Sequence, residues 1–79
     1  MEPNDAPPRV YFDKEGDLGR GNLAYRDGQP ILVVSWRSER NIRVPHVYYE
    51  MDSEFLEQLD MSGRIYRYTG PLMQPKKQG

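Results

Sequence analysis

Leu23-Ala24-Tyr25-Arg26-Asp27-Gly28-Gln29-Pro30-Ile31-Leu32-Val33-Val34-Ser35-Trp36 reads as a β-hairpin whose register is set by its turn. Asp-Gly tolerates the positive φ angles of a type I′ turn, and the twist of that turn matches the twist of paired strands. With Asp27 and Gly28 as the two-residue loop, Arg26 faces Gln29, Tyr25 faces Pro30 and Leu23 faces Leu32. Side chains alternate with period two, so this register predicts Leu23, Tyr25, Leu32, Val34 and Trp36 on one face. Ile31 and Val33 fall on the opposite face and are also apolar. Both sides of the sheet therefore need cover, and a second copy of the chain in a homodimer is one way to supply it.

Outward from the hairpin, Val10-Tyr11-Phe12 is a short strand candidate, and Asp13 to Gly21 reads as a polar, glycine-punctuated loop. Ser38-Glu39-Arg40-Asn41 is a second turn. With Asn41 left-handed after a type I turn, Trp36 pairs with Val44. Pro45 interrupts the following strand. Ile42 and Val44 then have even parity, whereas Val47, Tyr49 and Met51 have odd parity. A bulge at Pro45-His46 reconciles the two halves, and the alternative is a separate strand over 47–51. Ser53 to Ser62 predicts the one helix. Ser53 is a suitable N-cap, Glu54 and Glu57 lie in the first turns, Phe55, Leu56 and Leu59 form an apolar stripe, and Gly63 is a stop. Arg64 to Thr69 alternates as a last strand.

The expected fold is thus β-rich α+β. It has a small antiparallel sheet of four or five strands, or a half-open barrel, with one short helix packed across it. Residues 1–8 are expected to be a disordered tail, 9–70 a single compact domain and 71–79 a frayed end.

The chain has 79 residues, no cysteine and a net charge of −1. The absence of cysteine leaves no disulfide framework and fits a reducing compartment. No apolar run reaches the roughly 18–20 residues that span a bilayer. The start of the chain lacks the basic and apolar regions of a secretory leader, so a cytoplasmic protein with no membrane partner is expected. A near-zero net charge argues against binding nucleic acid by bulk electrostatics.

The charge is nevertheless unevenly spread. Residues 20–49 carry Arg20, Arg26, Arg37, Arg40 and Arg43 against Asp27 and Glu39, and residues 50–60 carry Glu50, Asp52, Glu54, Glu57 and Asp60 with no base. Asp13, Glu15 and Asp17 are spaced like the start of a calcium loop. However, Leu18 stands where that loop needs glycine, and Ala24 where it needs glutamate. Gly16, Gly19 and Gly21 precede a strand rather than a helix, which excludes a phosphate-binding loop. His46 is the only histidine, with neither a second imidazole nor a thiolate to complete a metal site. No nucleophile motif is present, and neither catalytic residues nor cofactors are expected.

The arginine and tyrosine constellation carries the functional expectation. Arg37, Arg40, Arg43, Arg67 and Tyr48 are the candidate binding residues. Planar guanidinium groups suit carboxylates and phosphates, and tyrosines add apolar contact area. The sequence is read as a non-enzymatic interaction module, a regulator, adaptor or inhibitor, that meets a protein partner through a sheet surface. The alternative is a binder of single-stranded RNA or DNA that stacks bases on the same face. The bland reading has the tyrosines in the core and the arginines paired with Glu50, Asp52, Glu54 and Glu57.

Overall fold

The computed structural model describes residues 7–77. The ends of the two expected tails, 1–6 and 78–79, lie outside the described residues. The strands are β1 (Arg9–Lys14), β2 (Asp17–Arg26), β3 (Gln29–Glu39), β4 (Ile42–Glu50), β5 (Leu56–Gln58), β6 (Ile65–Tyr68) and β7 (Lys76–Lys77). They form one mixed sheet of seven strands in the order β5-β6-β1-β2-β3-β4-β7, with β6 parallel to β1 and all other pairs antiparallel. Pro7 and Pro8 lead into β1, and Leu23 N–H donates to Pro8 O at 2.9 Å.

This architecture overturns the expected α+β class. Among the described residues the only helical piece is a 3-10 turn, Ser53–Phe55, capped by the side chain of Asp52 rather than Ser53. The rest of the predicted helix becomes β5 and a loop, with Leu56 opposite Tyr68 and Gln58 opposite Tyr66. A helix of about ten residues is marginal without tertiary support. Here the sheet edge offers backbone partners instead. Asp60, at a position the helix would have used, turns its carboxylate onto the loop backbone, with Oδ1 accepting from Arg64 N and Ile65 N, each at 3.1 Å.

Three two-residue turns build the β1 to β4 meander. Both loop residues have positive φ in Glu15-Gly16 (53° and 88°), Asp27-Gly28 (54° and 82°) and Arg40-Asn41 (53° and 67°). The Asp27-Gly28 hairpin has the expected register, with Arg26 opposite Gln29, Tyr25 opposite Pro30 and Leu23 opposite Leu32. The supposed loop from Asp13 to Gly21 is instead mostly strand. Gly19 and Gly21 sit within β2 because a Cβ there would stand 2.6 Å from the Phe12 ring and 2.7 Å from Leu32 Cδ1. The third turn is also tighter than expected, and Trp36 pairs with Pro45 rather than Val44.

The predicted common face breaks between Val33 and Trp36. Val34 on β3 and His46 on β4 have no opposite residue, so the register shifts twice. The bulge at Val34 reverses parity, leaving Val34 exposed and carrying Trp36 to the face of Ile31 and Val33. Leu59, part of the apolar stripe of the expected helix, is exposed as well.

Two apolar clusters result, one on each face. The larger holds Val10, Phe12, Leu23, Leu32, Tyr49, Met51 and Tyr68. In a flat sheet β1 and β4 would be about 14 Å apart. Instead, the rings of Phe12 and Tyr49 lie 6.3 Å apart, and Lys14 Nζ donates to Tyr49 Oη at 3.1 Å. The sheet therefore coils around this cluster. On the outer face, Ile31 and Val33, 3% and 0% exposed, are covered by Trp36, Tyr48 and Ala24 of the same chain. The apolar pair that suggested a dimer is thus buried without one. At the C-terminal end Leu72 packs on the larger cluster, and Lys76 and Lys77 pair with Tyr48 and Val47.

Candidate anion-binding cleft

On the outer face the cross-strand row Ile65, Arg9, Asn22, Val33, Tyr48 runs from β6 to β4. Asn22 organises this row. Its Oδ1 accepts from Trp36 Nε1 at 3.1 Å, and its Nδ2 donates to Pro8 O at 3.3 Å and Pro7 O at 3.5 Å. Trp36, held in this way, supports Arg43, whose guanidinium carbon stands 4.9 Å from the ring centroid. Such a contact is favourable through the negative face of the indole. On the other side, Arg9 N–H donates to Arg64 O at 2.8 Å, and the Arg64 backbone is tied to Asp60.

These elements enclose a cleft of about 460 Å³ lined by Pro7, Arg9, Asn22, Arg43, Arg64 and Ile65. A second cleft of about 280 Å³ shares Arg9 and Asn22 and adds Arg20, Gly21, Val33 and Val34. Among the described residues, no carboxylate lines either one. The local potential is also visible in Tyr11, which lies between Arg20 and Arg67 in the sheet. Its hydroxyl is held below the usual tyrosine range, first by a hydrogen bond from Arg9 and, against partial burial, by the charges of Arg9 and Arg20. Four guanidinium groups from β1, β2, β4 and the loop before β6 thus border one strip of surface.

Of the candidate binding residues, the structure places only Arg43 in this cleft. Arg67 pairs with Glu57 at 3.0 Å, and Arg37 pairs with Glu39 at 3.6 Å. Arg40 is exposed in the third turn. Tyr48 is buried beneath Arg26, whose guanidinium carbon is 5.9 Å from the ring centroid. Arg9, Arg20, Arg64 and Asn22 are not among the binding residues expected from the sequence. The Glu15-Gly16 turn was the available signal, because placing it between β1 and β2 sets Arg9 opposite Asn22.

Among the described residues, no three His, Cys, Asp or Glu side chains gather so as to hold a metal ion, and no helix is long and apolar enough to cross a membrane. No protein-family model, curated protein or solved structure matches this chain.

Proposed function

We propose that the protein is a non-enzymatic interaction module that binds an anionic segment of a protein partner across the outer face of its sheet. The observation that carries this reading is the convergence of Arg9 and Arg43 on one cleft, beside a second that Arg9 shares with Arg20, with no carboxylate lining either one among the described residues. Arginine remains protonated at any physiological pH and presents a planar fork of donors. The cleft is therefore equipped to hold oxygen anions rather than to transfer protons. Asn22 and Trp36 hold Arg43 and the segment at Pro7 and Pro8 in place, which lowers the ordering cost of binding. The cysteine-free composition is consistent with a cytoplasmic setting.

The burial of the aromatic rings favours a protein over single-stranded nucleic acid. Tyr48, Tyr49 and Tyr68 are buried, and Arg43 lies over Trp36. Tyr25 is 66% exposed but sits beside the Asp27-Gly28 turn, outside the lining of either cleft. Binding without sequence preference needs successive bases stacked on open rings.

The test is anisotropy titration of a labelled glutamate-rich peptide and a labelled oligo-dT at about 50 and 200 mM salt. The peptide is expected to bind, and R9Q and R43Q to weaken it. Tight oligo-dT binding that collapses with salt, without peptide binding, would transfer the assignment to nucleic acid.

A further inference from the structure

We propose that the outer face reads an extended partner segment with two acidic residues and then one apolar residue at successive alternate positions. This rests on the reading of that face as an interface for an anionic segment, and it names the order of side chains recognised. The register of β1 against β2 is unbroken from Arg9 opposite Asn22 to Lys14 opposite Asp17. Outward-facing residues therefore fall in three cross-strand rows, Arg9 with Asn22, Tyr11 with Arg20, and Asp13 with Leu18. Successive rows are about 7 Å apart, which matches the step between alternate side chains of an extended segment.

Each row borders a cleft of different chemistry. At the first, Arg9 and Arg43 line the cleft of about 460 Å³. At the second, Arg20 joins the shared Arg9 in the cleft of about 280 Å³. Arg43 lies over Trp36, and Arg9 donates to the neutral Tyr11 hydroxyl, so both guanidinium groups keep N–H donors for a carboxylate. At the third row the sign reverses. Asp13 and Leu18 line a cleft of about 420 Å³ together with Phe12 and Thr69. Arg67, which borders the second row and this third cleft, is already paired with Glu57 at 3.0 Å. Leu18 is 76% exposed, so covering it with an apolar side chain is favourable. Asp13 beside it repels a further acid. Charge complementarity thus places acids at the first two positions only, with an apolar residue at the third.

The experiment titrates the full chain into labelled peptides at fixed ionic strength, read by anisotropy. Between identical flanks the peptides carry Glu-Ser-Glu-Ser-Leu, the rearranged Glu-Ser-Leu-Ser-Glu, Glu-Ser-Glu-Ser-Glu, Glu-Ser-Glu-Ser-Lys or Glu-Ser-Ser-Ser-Leu. Labelled oligo-dT is run alongside. Glu-Ser-Glu-Ser-Leu is expected to bind most tightly, by about threefold or more. Its margin over Glu-Ser-Glu-Ser-Glu decides, because a surface that senses only total charge prefers the triple glutamate. L18S and D13N should each narrow that margin. R20Q should weaken Glu-Ser-Glu-Ser-Leu yet leave Glu-Ser-Ser-Ser-Leu nearly unchanged, since only the former presents an acid to the second row. All three substituted side chains are exposed, and melting curves check that the variants fold.

Tightest binding of the triple glutamate, or equal binding of Glu-Ser-Glu-Ser-Leu and its rearranged form, would overturn the ordered pattern and leave the anionic interface standing. Tighter binding of the lysine peptide would overturn the apolar third position. A dimer in sedimentation that L18S abolishes would give the third cleft to a second copy of the chain and overturn its assignment to a partner. No binding of any acidic peptide would overturn both readings. Oligo-dT binding as tight as Glu-Ser-Glu-Ser-Leu would overturn the choice of a protein segment.

Discussion

Asp27, Gly28, Glu15, Gly16, Arg40 and Asn41 all occupy the left-handed region, yet their chemistry suits that region unequally. Gly28 has φ of 82°, where a β-branched side chain is strained. Gly28→Val should therefore destabilise the fold by about 1–3 kcal/mol in a urea titration. Arg40, at φ of 53°, has the opposite prospect, because an ordinary side chain already bears that cost. Arg40→Gly should raise stability by up to about 1 kcal/mol, read as a higher urea midpoint at unchanged slope. Tyr68 is 2% exposed, and its hydroxyl accepts from Asp52 N at 3.1 Å and donates to Pro71 O at 3.0 Å. Tyr68→Phe would strand both backbone groups, at a cost of about 1–3 kcal/mol. A variant as stable as the parent would mean that water replaces both bonds.

Element choice between Ser53 and Tyr68 turns on Asp60. Its carboxyl is held below the ordinary aspartate range, chiefly by the Ser62 hydroxyl, and, against partial burial, by the N–H groups of Arg64, Ile65 and Gly63. A folded-state value below the unfolded one means that the ionised form supports the fold. The contribution is complete above the unfolded value near pH 4 and is lost as pH falls through the folded value. Asp60→Asn should therefore flatten the acid limb of the stability profile, with little change in its shape above pH 5. Unfolding midpoints measured from pH 7 to 2.5 check this, and parallel profiles for parent and variant would remove Asp60 from the account. The same loop carries Arg64 into the cleft, so its order bears on binding as well as on the sheet edge.

At the scale of the whole molecule, β6 extends the sheet beyond the meander by pairing in parallel with β1, Arg9 opposite Ile65. Contacts so distant in sequence impose a large loop-closure cost before they stabilise anything. Refolding followed by Trp36 fluorescence should take milliseconds to seconds, as expected for sheet proteins rich in non-local contacts. Microsecond refolding would show that the meander alone organises Trp36. Phe12 and Tyr49 meet only because the sheet coils, so Phe12→Ala should cost about 3–5 kcal/mol and loosen the curvature.

Local chemistry made the Asp27-Gly28 hairpin legible, because a two-residue loop with positive φ admits few dipeptides and one register. It also exposed the apolar character of Ile31 and Val33 on the second face and the parity break at Pro45-His46. The helix expected from Ser53 to Ser62 was equally well written in local terms. It lost because β6 offered Leu56–Gln58 a strand to pair with, and Asp60 tied down the loop that follows, whereas a short isolated helix is marginal. Trp36 changed face for a related reason, since an unpaired Val34 leaves no mark in composition or periodicity. The cleft belongs wholly to the tertiary structure. Arg9, Arg43 and Arg64 are far apart along the chain, and the parallel β1–β6 pairing, with Asn22 and Trp36 between, is what brings their charges to one place.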